Sequence, residues 1–291
     1  MFELRHLQQF VALHEHGTVR AAARALGLSQ PALSRSLKAL EEEVGAPLFE
    51  RTRPRVVPTP AGRLVLERAE DVLGAARRVQ GDVDRYLGRE TGELVAGIGT
   101  YPAESILPPA LGAFMKRHPA VRVRVLVEVW TELLPRLANG RIELAVTSTD
   151  EIEGGRRPFD VHPLKKRKGV VFARAGHPLA RKRRTTLADL RPYPMASPRL
   201  PAQVRKLLGR PSDPEIECNS ISAIKAVVAA SDAIGIVSPA SLADDPDAWT
   251  ILPPGRDRLA GSFGIVTRRG RTLSPAAESF IEAVMEADAA V

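Results

Sequence analysis

Within the first 45 residues three glycines, Gly17, Gly27 and Gly45, cut the chain into short segments that each repeat their apolar residues at helical spacing. That punctuation points to a compact three-helix unit. Leu4, Leu7, Phe10, Val11 and His14 form the first stripe, on a helix expected to end near Gly17. Thr18 follows as an N-cap for a helix over 19–26, in which Ala21, Ala22 and Ala23 are small enough to let a neighbour approach closely. Ser29 caps a third helix with Pro31 in its first turn, where a missing N–H costs nothing. Leu33, Leu37, Leu40 and Val44 are its buried stripe.

The other face of the third helix carries the chemistry. Ser34, Arg35 and Lys38 are related by three- and four-residue steps, so they project together near the end that bears Ser29 and Gln30. Gln and Arg can pair with base edges through two hydrogen bonds, while Lys and Ser suit phosphates. Two helices joined by a tight turn, the second polar and basic at its start, fit the major groove of DNA. An ordinary surface helix of a small bundle is the alternative that pattern alone leaves open. Gly45-Ala46-Pro47 then ends the helix, and the stretch over 48–57 reads as a two-stranded ribbon carrying Arg51, Arg53 and Arg55. Arginines on such a wing can reach phosphates or a narrow minor groove.

The run Leu28-Ser29-Gln30-Pro31-Ala32-Leu33-Ser34-Arg35 through Leu40-Glu41, then Pro47-Leu48-Phe49-Glu50-Arg51 and Thr59-Pro60-Ala61-Gly62, resembles the LysR-type transcriptional regulators. The resemblance implies that Gln30, Ser34 and Arg35 contact bases, and that Ser29, Lys38, Arg51 and Arg53 contact backbone or minor groove. Thr18 and Pro31 complete the expected DNA-facing set.

Thr59 as cap and Pro60 at the first helical position start a long helix. Val65, Ala69, Val72, Ala76, Val79 and Val83 alternate steps of four and three, the pattern of a helix that packs along a narrow seam. A partner helix in a second copy is the expected occupant, with packing on its own domain as the alternative. A dimer would place two recognition helices on the half-sites of an inverted repeat, about 34 Å apart or a multiple of it. The resemblance implies the same dimerisation helix and assembly up to homotetramers, with RNA polymerase admitted as a further partner.

From Gly92 the texture changes to strands alternating with helices, which indicates an α/β domain with mainly parallel sheets. The domain boundaries are expected at 1–58, 59–89 and 90–291. The last splits into subdomain I (90–162 and 267–291) and subdomain II (163–266), with crossing segments near 159–164 and 261–267. The fold class is thus α+β multidomain: a winged helix-turn-helix, a linker helix and a C-terminal α/β domain. That layout resembles the periplasmic-binding-protein-like effector domain of LysR-type regulators. Ligands in such sheets bind at the carboxyl ends of strands, which gathers Thr100, Tyr101, Pro102, Trp130, Thr147, Ser148, Ser197, Asn219 and Ser220 around one cleft. Within the resemblance, Thr100, Tyr101 and Pro102 hold the effector. Trp130 stands where the family usually has a small polar residue, so its indole would narrow the cleft or stack on a ring.

Composition restricts the remainder. The formal charge of +8 and pI near 10.0 favour polyanions, although the basic runs 165–168 and 181–184 are expected to be solvated surface. No apolar run reaches the roughly 20 residues of a membrane span, and the N-terminus shows no secretory pattern, so a cytoplasmic protein without a membrane partner is expected. The lone Cys218 excludes an internal disulfide and a Cys-based zinc site. Gly27-Leu28-Ser29-Gln30-Pro31 lacks the final glycine of a nucleophile elbow. Pro102 breaks the glycine pattern that Gly97-Ile98-Gly99 begins. His14 and His16, two apart on a helix, diverge. Neither catalysis nor a cofactor is expected beyond a small-molecule co-inducer. Constitutive DNA binding, or a solute-binding or catalytic α/β protein with packing helices in front, are the competing readings.

Overall fold

The computed structural model describes residues 3–50, 56–86, 92–152, 158–182, 185–210, 212–252 and 259–290. The chain divides into two units, residues 1–89 with 139–141, and 90–138 with 142–291. Among the described residues no helix is long and apolar enough to cross a membrane.

In the first unit, helices α1 (Leu4–His16), α2 (Val19–Ala25) and α3 (Gln30–Val44) are delimited as the glycines predict. Gly17, Gly27 and Gly45 all adopt positive φ, from 65° to 76°, where a side chain would be strained. Thr18 Oγ1 accepts the Ala21 N–H at 3.2 Å and Ser29 Oγ accepts the Ala32 N–H at 3.3 Å, so both caps are made. Leu7, Phe10 and Leu13 of α1, Ala22 and Ala23 of α2, and Leu33 and Leu40 of α3 share one core. Each fully buried Leu or Phe contributes about 1.5–3 kcal/mol by leaving water.

Strands β1 (Phe49–Glu50) and β2 (Val57–Pro58) pair antiparallel, which confirms the base of the ribbon. The segment between them, with Arg51, Arg53 and Arg55, lies outside the described residues. Helix α4 (Pro60–Tyr86) starts where Thr59 Oγ1 accepts the Gly62 N–H at 3.0 Å while donating to the Pro47 carbonyl at 2.7 Å. Leu66, Ala69 and Leu73 of α4 enter the same core as the three helices.

The second unit holds two five-stranded sheets. The first contains β3 (Gly92–Ile98), β4 (Val121–Val127), β5 (Leu144–Ser148), β6 (Phe159–Pro163) and a late strand over Phe263–Arg268. Helices α5 (Thr100–Ser105), α6 (Leu107–Arg117) and α7 (Trp130–Ala138) connect its early strands. β3 runs parallel to β4 and to β5, but the late strand is antiparallel to β5 and β6, because it returns into this sheet from the other half of the unit. It joins at Phe263, so residues 263–266, expected in subdomain II, belong to the first sheet.

A short pair, β7 (Arg167–Lys168) with residues Ala260–Gly261, lies between the halves. The second sheet is built from β8 (Val170–Arg174), β9 (Met195–Ser197), β10 (Ile216–Glu217), β11 (Ile234–Val237) and β12 (Trp249–Leu252). Helices α8 (Leu187–Leu190), α9 (Ala202–Leu207) and α10 (Ile221–Ala229) accompany it. The Ala260–Gly261 strand is β13, the Phe263–Arg268 strand β14, and the chain closes with α11 (Pro275–Ala290). α11 buries Ala277, Phe280, Ala283, Val284 and Ala287 against the first sheet. Its Phe280 meets Phe114 of α6 edge-on at 5.6 Å.

Candidate functional site

The polar face of α3 is displayed as its spacing predicts. Ser29, Gln30, Pro31, Ser34, Arg35 and Lys38 are all exposed, while Leu33 and Leu40 on the opposite face are at most 1% exposed. The Lys38 ammonium lies 3.5 Å from the Glu42 carboxylate one turn on. An exposed pair of this kind is worth no more than about 1 kcal/mol, so a phosphate can displace it. Thr18, the cap of α2, is half-buried.

One residue of this surface escapes periodicity altogether. Glu41, late in α3, accepts the Leu48 N–H at 2.7 Å and the Phe49 N–H at 3.4 Å through Oε1. It therefore ties the recognition helix to the first strand of the wing. At the ribbon's other strand, the Val56 N–H donates to the Gly17 carbonyl at 3.0 Å. An acid seven residues before its backbone partner leaves no periodic signal that could have revealed it.

The expected seam on α4 is divided between two environments. Ala69 is buried in the domain's own core, with Val65 packed against it. Ala76 is half-buried, whereas Val72, Val79 and Val83 are 44%, 64% and 45% exposed. Leu64, absent from the heptad reading, is also open at 59%.

In the second unit a cleft of about 750 Å³, part of it open to solvent, is lined by Thr100, Tyr101, Pro102, Trp130, Thr147 and Ser148, as the strand ends predict. Thr100 and Thr147 are 5% and 1% exposed, and Thr100 Oγ1 is buried without a hydrogen-bond partner. Ser148 donates to Asp150 Oδ2 at 3.3 Å. The Tyr101 hydroxyl donates to the Ile236 carbonyl at 3.4 Å, and its burial pushes the phenol well above the usual range, so it stays protonated. Trp130 opens α7 and forms part of the wall.

Three expected lining residues stand elsewhere. Ser197 is fully buried in β9 and donates to the Pro198 carbonyl at 2.9 Å, while its neighbour Pro198 reaches the cleft. Asn219 donates to Glu128 Oε2 at 3.0 Å. Ser220 caps α10 by accepting the Ala223 N–H. A hydroxyl beside a strand end is as well suited to capping as to ligand contact, and pattern cannot separate the two.

The run 165–168 is not merely solvated surface. The Lys165 N–H and the Arg167 guanidinium both bond the Asp288 carboxylate of α11, and Lys165 Nζ donates to the Ala289 carbonyl at 2.7 Å. Arg167 and Lys168, on the crossing strand β7, form part of the cleft wall, as do Arg199 and Leu200 from the far side. In the second run, Arg181 and Lys182 are exposed, with Lys182 held to Asp189, and 183–184 lie outside the described residues. Among the described residues no group of acids, histidines and cysteines could hold a metal ion.

Comparison with known proteins agrees with this arrangement. Residues 4–63 match the model of the bacterial regulatory helix-turn-helix proteins of the lysR family, and residues 87–289 match that of the LysR substrate binding domain. A Pseudomonas sp. protein named SDS degradation transcriptional activation protein is 40% identical, covering 99% of this chain and 97% of its own length. The HTH-type transcriptional regulator GalR of Pseudomonas putida is 32% identical over 98% of this chain and 74% of its own. Among solved structures, full-length CbnR complexed with its target DNA superposes with a TM-score of 0.64 at 27% identity, over 98% of this chain and all (100%) of that one. Full-length OxyR from Pseudomonas aeruginosa shares the fold, with a TM-score of 0.67 at 20% identity, over 99% and 95% of the two chains.

Proposed function

The chain belongs to the LysR family of DNA-binding transcriptional regulators, and from that premise we propose how its two units divide the work. Gln30, Ser34 and Arg35 read base edges in the major groove, Ser29 and Lys38 hold phosphates, and Arg51 and Arg53 contact backbone or minor groove. Exposed Val72, Val79 and Val83 pack against the same stripe of a second copy, which sets two α3 helices on an inverted repeat. A dimer, or a tetramer of two dimers, is the working form, and contact with RNA polymerase belongs to its action at a promoter.

The cleft around Thr100, Tyr101 and Thr147 takes a small-molecule effector. A ligand can shift the subunit arrangement only if it binds one arrangement better than another. The Pseudomonas relative is named for activating SDS degradation, and by that likeness the effector here is an organic compound connected with the genes under control. The family is one of regulators and not of enzymes, and no catalytic role is assigned to the cleft. Cytoplasmic location follows from action on bacterial DNA.

One observation carries this reading: Gln30, Ser34, Arg35 and Lys38 stand exposed together on a helix whose opposite face is buried. Genome-wide mapping of bound sites, followed by footprinting with and without candidate effectors, tests it. Binding that shows no preference over random duplex across a range of salt would remove the regulator function. Footprints that no effector alters would leave constitutive DNA binding.

A further inference from the structure

The kind of ligand follows from how the cleft divides its polar and apolar atoms. Its polar end is at the carboxyl ends of β3 and β5, where Thr100 lies 95% buried with an unpartnered hydroxyl and Thr147 stands close by. A Cβ added to Gly99 would come within 3.2 Å of Thr147 Oγ1, so the glycine keeps this corner open. A buried hydroxyl without a partner is costly unless a ligand supplies one.

Most charges at the rim are already matched. Arg167 pairs with Asp288, and Arg199 pairs with Asp213 and Glu217. Those partner acids are not among the lining residues, so the side that faces the space carries Arg167, Lys168 and Arg199 with Asp150 as its acid, which favours a negative charge over a positive one. The walls are otherwise apolar, with Val129, Leu200, Val204 and Leu259 facing the space. A sugar or a multiply charged acid would bury polar groups against these side chains without partners.

A second hollow adjoins the first. It measures about 680 Å³ with the open solvent at its mouth included, shares Tyr101, Pro102, Lys168 and Phe263 with the first and is lined further by Ile106 and Pro239. A compact ring fills one of the two, whereas a flexible chain can occupy both.

We propose that the effector is an amphipathic organic anion, with one anionic head at Thr100 and Thr147 and a linear aliphatic chain along Leu200, Val204 and Leu259 toward the second cavity. The assignment rests on the cleft being the effector site. Alkyl sulfates, sulfonates and carboxylates share this chemistry.

The test is calorimetric titration of the full-length protein with linear alkyl sulfonates of four to twelve carbons, below their micelle concentrations, with footprinting on the same samples. One molecule binds per chain, and affinity rises about three- to fourfold per methylene, the equivalent of about 0.8 kcal/mol per buried CH₂. Thr100→Val, nearly equal in shape, weakens every member by a common factor of about five to ten and leaves the dependence on length intact. Val204→Ser lowers that dependence.

Affinity that is flat with chain length, or uptake of many molecules per chain indifferent to Thr100→Val, overturns the proposal. So does tighter binding of dicarboxylates or sugar phosphates, which leaves the effector site itself in place if they alter the footprint. A length-dependent series that leaves every footprint unchanged supports the amphiphile and counts instead against ligand control of DNA binding.

Discussion

Asn219 donates its side-chain amide to the Glu128 carboxylate at 3.0 Å, and this bond ties the end of β4 in one half of the effector domain to the start of α10 in the other. Two further bonds join the same two halves, from the Ala202 N–H to Glu151 at 2.9 Å and from the Tyr101 hydroxyl to the Ile236 carbonyl. Asn219→Ala should therefore loosen the junction between the halves. A hydrogen bond to a charged group contributes about 1.5–3 kcal/mol, less here because the pair is partly exposed. Faster amide hydrogen exchange at the start of α10 and in the segment after β4, with retained DNA binding, is the expected result. Unchanged exchange at both segments would show that the bond does not hold the halves together.

Arg35→Ala should weaken binding to the cognate operator by about 1–3 kcal/mol while leaving binding to random duplex nearly unchanged, since a bidentate base contact discriminates and a phosphate contact does not. Lys38→Ala should weaken both together and reduce the slope of log affinity against log salt by about one. Gel-shift titrations over a range of salt separate the two. Equal losses for Arg35→Ala on both duplexes would reassign Arg35 to the backbone.

Val72→Asp with Val79→Asp should prevent dimerisation without unfolding the chain, because both side chains are open in the single protomer. Sedimentation should report monomers with an unchanged circular dichroism spectrum, and operator affinity should fall steeply as the paired half-sites are lost. Persistent dimers would place the interface elsewhere. Ala69→Asp is a different case, since Ala69 lies in the core and its replacement should unfold the DNA-binding unit.

Gly62→Ala should be strongly destabilising although the position lies on a helix, where alanine is ordinarily favoured. Its Cβ would fall 2.0 Å from the Leu48 carbonyl oxygen, the same oxygen that accepts the Thr59 N–H at 3.0 Å. Backbone on both sides must move apart, at a cost of about 2 kcal/mol or more. That corresponds to a fall of roughly 8 °C or more in the melting temperature of a domain this size. A variant that melts with the parent would mean that α4 and the wing are free to separate.

Glu215 gives a pH dependence. Burial pushes its carboxyl up, but the Met195 N–H, which it accepts at 2.9 Å, and the Arg210 guanidinium outweigh this and hold it below the usual carboxylate range. A depressed folded-state pKa adds stability that is present above the unfolded value of about 4.3 and is lost as pH falls through the folded value. The parent should therefore melt higher than Glu215→Gln at pH 7, with the gap closing below about pH 4. A gap independent of pH would assign the effect to packing.

The amino-acid sequence by itself determined what is governed by short range: the three helices and their caps, the start of α4 and the exposed face of α3. Period, glycine and capping chemistry act within a few residues, so a linear reading recovers them. Tertiary structure alone decided that Glu41 fastens the wing, that Ala69 faces the core while Val72 and Val79 do not, and that Ser197, Asn219 and Ser220 serve the scaffold. It also set Arg167 against Asp288, which lies 121 residues away. Such pairings arise when distant segments are brought together by burial of their apolar faces, and no local pattern encodes which polar groups will then meet.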